Sequence, residues 1–486
     1  MGVSEVVHLG DIRDKAAYNN KYIYVSIMNG LDDDNANNQN EEHYELQSAQ
    51  DSARSADLLQ GLDSNNKQKK TNILAAKNSR ELSLKVQDLW GRLKTKNDLL
   101  YLLNVVYGEL YGERSTMLTI GQLNHYAYSA IASKRYTTFQ IPKKKKGEYR
   151  TIDAPVQKLK YIQRGLNVVL QCAYTPHAAA MGFVPHRSVV DNAKVHTGQR
   201  VVYNIDLKDF FPSITSGRVY HRLKGKPFSL NEELASLITD ICCYTNAEGR
   251  HVLPQGAPTS PTLTNIICER MDRKLTRLAK AYSLKYTRYA DDITFSGMTN
   301  VFQEGGRFCR SLRHIIEVEE HFTINNDKVR LYHQGMRQEV TGLTVNHREN
   351  VSRKYIKQLR TLIHNWEMNG YQKAQEVFIK HYAVTSTCRV KAKGEHHIEN
   401  IISGKLMYLK MVKGESDITY RRLFSRFLVL INEHTAANME EVKASNSSAM
   451  VPSKEGGKHI DAVHDEGKDE VLITIMELEA LLNNNI

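Results

Sequence analysis

Two adjacent carboxylates, Asp291 and Asp292, end the run Tyr289-Ala290-Asp291-Asp292. On either side, Lys285 to Tyr289 and Ile293 to Phe295 are rich in β-branched and aromatic residues, the composition of short strands, so the pair reads as the tip of a tight hairpin. Such a tip offers hard oxygen ligands to a divalent cation, and Mg²⁺ needs only one or two carboxylates when substrate phosphates and waters complete its shell. Asp also favours ordinary surface turns, so the pair alone has two readings. A third carboxylate separates them. Val201-Val202-Tyr203-Asn204-Ile205 is a buried-strand candidate with Asp206 at its end. Asp206, Asp291 and Asp292 suffice for a two-metal site, in which one ion activates the attacking oxygen and the other, about 4 Å away, stabilises the leaving oxygen. The alternative for Asp206 is the cap of a following helix.

Between the two acidic elements, Leu253-Pro254-Gln255-Gly256-Ala257-Pro258-Thr259-Ser260-Pro261 leads into a predicted helix, with Ser260 as N-cap and Pro261 as first helical residue. Leu263, Ile266, Ile267, Met271 and Leu275 then recur at helical spacing and predict a buried face. Taken in order, Asn204 to Phe211, Leu253 to Pro261 and Tyr289 to Asp292 resemble successive palm motifs of a bacterial reverse transcriptase. The resemblance extends over residues 85–430 and implies an α+β fold of right-hand polymerase architecture: fingers, a palm with an antiparallel sheet, a helical thumb, and N- and C-terminal extensions. The expected divisions are 1–84 for the N-terminal extension, 85–200 for fingers, 201–350 for palm with 212–250 interleaved with the fingers, 351–432 for thumb, and 433–486 for a polar linker and C-terminal amphipathic helix.

The resemblance also implies roles. Asp206, Asp291 and Asp292 are the expected catalytic residues and, with the backbone carbonyl of Leu207, the ligands of two Mg²⁺ ions, Mn²⁺ being the alternative. Arg135 to Ile152 resembles the fingers hairpin in which a Lys and an Arg hold the incoming triphosphate, here Lys144 and Arg150. The transfer is chemically sound, since a triphosphate needs cations besides the metal and a planar guanidinium grips two oxygens. The four lysines from Lys143 to Lys146 read equally as a solvated turn. Asp209, Phe210, Phe211 and Gln255 are expected at the nucleotide. Phe211 is the aromatic that lies beneath deoxyribose in this family; it leaves no room for a 2′-hydroxyl and offers no partner for it, a penalty of about 1–3 kcal/mol from the missing hydrogen bond alone. Phe210 also reads as a core aromatic. In Ile324-Asn325-Asn326-Asp327-Lys328, Lys328 matches the lysine that approaches the leaving pyrophosphate, where an ammonium stabilises developing charge. Val340 to Asn346 resembles the hairpin that grips the primer, with Gly342 marking a bend or a close backbone approach, and Tyr289 is expected on the nucleic acid as well.

Composition agrees. Lys and Arg number 66 against 54 acidic residues, a net charge of +12, which suits a phosphate-rich partner. Arg353, Lys357 and Arg360 fall at helical spacing opposite an apolar stripe of Tyr355, Leu359, Leu362, Ile363 and Trp366, so one face packs into the thumb and the other meets a nucleic-acid backbone. Further along, 401–430 carries Lys405, Lys410, Lys413, Arg421 and Arg422. Six cysteines show neither zinc spacing nor a compact disulfide framework. With no charged leader followed by an apolar core and no membrane-length apolar stretch, a cytoplasmic protein is expected.

The ends differ from the middle. Tyr22 to Ile27 is a strand-like patch, whereas Leu31 to Lys70 is too polar to form a core. Asn432 to Lys468 is again polar, with Ser445-Asn446-Ser447-Ser448 read as flexible loop. Asp469 to Leu482 reads as an amphipathic helix too short to stand alone, which must dock on this or another subunit, so a homo-oligomer is one expectation. Asn192-Ala193-Lys194-Val195-His196 and Val340-Thr341-Gly342 resemble patterns of retron reverse transcriptases, which places Asn192 and His196 among the expected nucleic-acid contacts. The whole is expected to be an RNA-directed DNA polymerase that copies a structured noncoding RNA into cDNA from dNTPs, within the retron and antiphage-defence group. The alternative is an RNA-binding scaffold that restrains an effector, with synthesis secondary; three clustered carboxylates argue against it, since a dead polymerase has no physical need for them. RNA-templated RNA synthesis is a third reading, and the primer is either an RNA hydroxyl or a protein hydroxyl.

Overall fold

A β-branched, aromatic run that alternates poorly in polarity belongs in the middle of a sheet, covered on both faces. Val201-Val202-Tyr203-Asn204-Ile205-Asp206-Leu207-Lys208 does so as β3, in the computed structural model, which describes residues 80–112, 115–127, 135–143, 147–385 and 397–448. The described residues as far as Phe427 form one compact unit and those from Leu428 a second. The strand-like patch at Tyr22 to Ile27, the polar stretch to Lys70, Lys144 and the expected helix at Asp469 to Leu482 lie outside the described residues.

The described residues begin with helix at residues 80–91, then α1 (Lys96–Tyr111) and α2 (Ile120–Ala127). Next comes an antiparallel hairpin of β1 (Tyr136–Pro142) and β2 (Tyr149–Pro155), followed by α3 (Gln157–Ala173) and α4 (Val189–Val195). Thr95 before α1 and Ser188 before α4 each form a reciprocal capping box with the aspartate three residues on, so these starts are encoded locally. After β3 come α5 (Ser216–Lys224), α6 (Glu232–Cys242), the short pair β4 (Tyr244–Thr245) and β5 (His251–Val252), and α7 (Ser260–Ala281). The expected stripe of α7 is buried at Leu263, Ile266, Ile267, Met271 and Leu275. Its start differs from the expectation by one residue. Thr259 is the N-cap and Pro261 lies in the first turn, because the Ser260 hydroxyl is spent on the Pro254 carbonyl at 2.8 Å.

β6 (Lys285–Tyr289) and β7 (Asp292–Gly297) complete the hairpin, and β7 pairs antiparallel with β3. The other edge of β3 is shared by two short strands, β8 (Thr323–Ile324) and β9 (Arg330–His333), on either side of a 3₁₀ turn at Asn326–Lys328. Before them, α8 (Arg307–Arg313) runs into a π-helical turn at His314–Glu319. The outer edge of β6 is not left open. Arg288 N–H donates to Ala179 at 2.8 Å and Met181 N–H donates to Arg288 at 2.7 Å, so residues 179–181 cap that edge in parallel. A two-residue turn at Thr341 and Gly342 joins β10 (Glu339–Val340) to β11 (Leu343–Thr344), both turn residues having positive φ.

Three helices follow: α9 (Arg353–Thr385), kinked at Gly370, α10 (Ile398–Lys413) and α11 (Ile418–Ser448). The expected loop at Ser445 to Ser448 is instead the last turn of α11. Met439-Glu440-Glu441-Val442-Lys443-Ala444 before it are mostly strong helix formers, and an established helix propagates at one hydrogen bond per added residue. Among the described residues no helix is long and apolar enough to cross a membrane.

Candidate active site

The pairing of β3 with β7 decides where the carboxylates stand. Asp206 lies directly opposite Asp292, so their side chains leave the same face with Cβ atoms about 5 Å apart. Asp291 belongs to the two-residue turn between β6 and β7, and its carbonyl accepts the Leu207 N–H at 3.1 Å, which ties the turn to β3. The three acidic residues are thus gathered at one end of two neighbouring strands, as their sequence positions predict.

The turn bends through Ala290, whose φ of 58° is uncommon for a residue with a Cβ. Its conformation is set from below. Arg288, fully buried in β6, places Nε and Nη2 on the two carboxylate oxygens of Asp272 in α7 at 2.8 and 2.7 Å. Nη2 also donates to Asn265 Oδ1 at 3.1 Å, and Nη1 donates to the Ala290 carbonyl at 3.2 Å. The Tyr286 hydroxyl donates to Asp272 at 2.7 Å. A charge pair taken wholly out of water is tolerable only when its remaining donors and acceptors are satisfied in this way. From the other side Gly182 presses on the turn, where a Cβ would stand 2.6 Å from Ala290 N. Sequence reasoning misses these residues. The available signals are an arginine in the interior of a strand whose other charge, Lys285, stands at its exposed end, and an aspartate on the apolar stripe of α7.

Electrostatically the cluster is under-compensated. Desolvation, and then the Asp206 charge, raise the Asp291 carboxyl, while Lys328 and Arg150 pull it back. Asp292 keeps contact with solvent, yet the protein around it, then Asp291 and Asp206, push its carboxyl up to about 7. Asp206 is 8% exposed, and the Lys328 ammonium sits 2.9 Å from both of its oxygens, with Asn325 Nδ2 on one of them at 3.2 Å. Crowded carboxylates with hard oxygen donors are the chemistry of a divalent-cation site. Among the described residues no three His, Cys, Asp or Glu side chains already stand in a ligating arrangement. Asp206 is met by the single positive charge of the Lys328 ammonium. The Lys328 side chain is 58% exposed on a flexible stem, so the donor set fits a divalent cation with Lys328 displaced.

Among the residues expected at the nucleotide, Phe211 is half-buried, 5.6 Å from the Phe210 ring and 6.2 Å from Phe183. Phe210 is only 4% exposed and packs on Phe322, so it supports Phe211 from the core; the expectation that it touches a nucleotide is corrected. Asp209 is exposed, with φ of 47°. The Gln255 carbonyl accepts Asp153 N–H at 2.9 Å and so stitches its loop to β2, three residues after the exposed Arg150. That approach requires glycine next door: Gly256 has φ of 143°, and a Cβ there would lie 2.8 Å from the Asp153 carbonyl.

Among the residues expected on the nucleic acid, Tyr289 is half-buried and Gly342 is exposed at its turn. Arg353, Lys357 and Arg360 are exposed on α9 while Leu359, Ile363 and Trp366 are buried, as the stripe predicts. Two expectations fail. His196 is 0% exposed, its ring nitrogens 2.7 Å from Ser296 Oγ and Thr287 Oγ1, and Asn192 is buried with Nδ2 3.3 Å from Thr341 Oγ1. Neither touches a ligand surface. They fasten α4 to the β6–β7 hairpin and to the Thr341 turn, so their motif is structural.

The pattern of the family described as reverse transcriptase (RNA-dependent DNA polymerase) matches residues 141–366, which hold all of these groups. The chain is 38% identical over 260 residues to the retron Mx65 reverse transcriptase of Myxococcus xanthus, covering 51% of this chain and 60% of that one. It is 36% identical over 282 residues to the retron Mx162 reverse transcriptase of the same organism, covering 51% and 56%. With the retron Ec86 reverse transcriptase of Escherichia coli it shares 33% identity over 258 residues, 52% of this chain and 76% of that one. It therefore spans a little over half the length of the two Myxococcus xanthus proteins.

Proposed function

The chain belongs to the retron-type bacterial reverse transcriptases, and on that premise we propose that it is a cytoplasmic RNA-directed DNA polymerase that copies a structured noncoding RNA into cDNA. The single observation that carries this reading is the pairing of Asp206 with Asp292 across β3 and β7, with Asp291 tied beside them to Leu207. Asp206, Asp291 and Asp292, with the Leu207 carbonyl, would hold divalent ions, Mg²⁺ first and Mn²⁺ as alternative. Bound there, such ions supply positive charge to the attacking and leaving oxygens.

The remaining roles fall to the protein's own groups. Arg150, whose charge already reaches Asp291, grips the triphosphate from the fingers hairpin, with Lys144, close by in the sequence, as second cation. Gln255 and Asp209 line the nucleotide, and Phe211, braced by Phe210, closes the space a 2′-hydroxyl would need. Lys328 leaves Asp206 for the departing phosphates, where its ammonium holds the charge that develops. Tyr289, Gly342 and the exposed face of Arg353, Lys357 and Arg360 meet the nucleic acid. In this reading 85–200 are fingers, 201–350 palm and 351–432 thumb.

Incorporation of dNTPs on a primed RNA template, measured for the native protein and for Asp291→Asn, tests the proposal. Loss of incorporation with RNA binding retained supports it, and equal incorporation by both proteins overturns it. If phage restriction by cells carrying the protein survived the same change, the scaffold reading would replace it for the biological role.

A further inference from the structure

The thumb carries a second concentration of cationic groups, and their partners sort them. Lys410 ends in an ion pair with Glu415 at 3.0 Å and Lys413 in one with Asp417 at 2.9 Å, while the Lys405 ammonium lies 4.7 Å from the centre of the Tyr355 ring. Arg360 and Arg422 have no hydrogen-bond or ion-pair partner among the described residues. They converge on a cavity of about 320 Å³ between α9 and the start of α11, lined by Arg360, Ile418, Thr419, Arg422, Leu423 and Arg426.

The third arginine is held in place. Arg426 Nε donates to Glu367 Oε1 at 2.7 Å and Nη2 to the other oxygen, a two-point grip that keeps the Glu367 carboxyl below the usual carboxylate range. Three guanidiniums against one carboxylate leave an excess of two positive charges around the cavity. The helix end adds little, since Asp417 already accepts the Tyr420 N–H at 3.0 Å and is itself paired with Lys413. The cationic character therefore comes from side chains whose planar forks suit tetrahedral oxyanions. Beside them Ile418 is 82% exposed, an apolar surface at the rim of a charged cavity.

We propose that this thumb cavity is a phosphate subsite for an RNA strand, in which Arg360, Arg422 and Arg426 share one phosphate group and Ile418 lies against the sugar that carries it. The proposal rests on the reading of the protein as an RNA-copying enzyme and adds to it a discrete anchoring point where the basic face of Arg353, Lys357 and Arg360 meets the start of α11.

The full-length protein, Arg360→Gln, Arg422→Gln and the double variant are titrated with a fluorescein-labelled RNA hairpin over a range of salt concentrations. Binding should weaken roughly ten- to a hundredfold in each single variant, the scale expected for removal of a charged hydrogen bond. The cavity holds the phosphate only while all three guanidiniums surround it, Arg426 being already paired with Glu367, so loss of either other arginine should release it and lower the slope of log affinity against log salt by about 0.7 to 0.9, the signature of one phosphate no longer neutralised. Because the arginines share that phosphate, the double variant should show the same slope change as either single one. A slope change twice as large in the double variant overturns the proposal, since it means independent surface charges; an unchanged slope overturns it too. Hairpins with a 5′-phosphate and a 5′-hydroxyl separate the two sources of the group. Equal weakening on both assigns a backbone diester, and weakening confined to the phosphorylated hairpin assigns the strand terminus. Incorporation of dNTPs by the native protein is measured alongside, so that failure of the polymerase reading shows itself apart from failure of the subsite.

Discussion

The turn at Tyr289 to Asp292 and the thumb cavity both gather charge of one sign, under opposite conditions. In the palm, Asp206, Asp291 and Asp292 are crowded by protein, and the turn that carries two of them is fixed by a fully buried Arg288–Asp272 pair. At the thumb cavity, Arg360 and Arg422 stay in solvent, and of its three arginines Arg426 alone is fixed by a carboxylate among the described residues. Crowding like charges costs stability and makes the palm demand a counter-cation; exposing them costs little and lets the thumb attract anions at long range. Changes in the palm should therefore be large and nearly all-or-none, and changes in the thumb graded and salt-dependent.

The largest effect is expected at the carboxylates. Asp291→Asn should lower dNTP incorporation by about three orders of magnitude or more, the scale seen when a group acting as part of a catalytic unit is removed. Asp292→Asn should do the same while leaving the thermal midpoint equal or raised, because it removes one of three mutually repelling charges. A strongly lowered midpoint would mean that these carboxylates hold the fold together, and the contrast between the regions would collapse.

Next comes the buried pair. Arg288→Met leaves the buried Asp272 charge without a counter-charge and should cost about 3–5 kcal/mol in chemical denaturation, whereas Arg422→Gln in the thumb should stay within about 0.5 kcal/mol. Adding Asp272→Leu to Arg288→Met should restore much of the stability, since an apolar pair can replace a buried ionic one. Incorporation should not return, because the Ala290 carbonyl still lacks its donor. Recovery of both together would show that the pair serves stability alone.

The same contrast explains what can be read from the residues in advance. Asp206 and the hairpin are legible because apolar runs, turn residues and short-range order fix them, and the stripe of α7 because helical spacing fixes it. The hold of Arg288 on Asp272 is not, since it joins a strand to a helix 16 positions earlier in the chain and depends on side-chain directions that no spacing reports. Asn192 and His196 are misread because a motif match says nothing about burial. Phe210 and Phe211 are adjacent in sequence, and only the packing of Phe322 beneath one of them separates support from exposure to a nucleotide. Lys328 is expected at the pyrophosphate, and its resting place on Asp206 is a choice among exposed rotamers that the sequence leaves open.

A moderate effect is expected at Phe211. Phe211→Ala opens the space beneath the sugar and should shrink discrimination between dNTP and NTP, measured as the ratio of kcat/KM values, by about 1–3 kcal/mol. Discrimination that survives intact would assign sugar selection to another group.

The smallest effect near neutral pH belongs to His196, and it tests whether the back of the palm hairpin behaves like its front. Burial, and to a lesser extent the Lys285 charge, bring the imidazole down to about 3 from its ordinary 6.5. The folded protein therefore keeps the ring neutral between those values while the unfolded chain takes up a proton. Stability from this group is fully present above about pH 6.5 and is lost progressively as pH falls toward 3, with a slope of at most about 1.4 kcal/mol per pH unit. Denaturant unfolding from about pH 7 to about pH 4, spanning most of that window, with the native protein against His196→Gln, measures it, and the variant should show the shallower dependence. Equal slopes would mean that the ring gains its proton without leaving Ser296 and Thr287, and that the hairpin is less tightly closed behind its carboxylates than the burial of His196 implies.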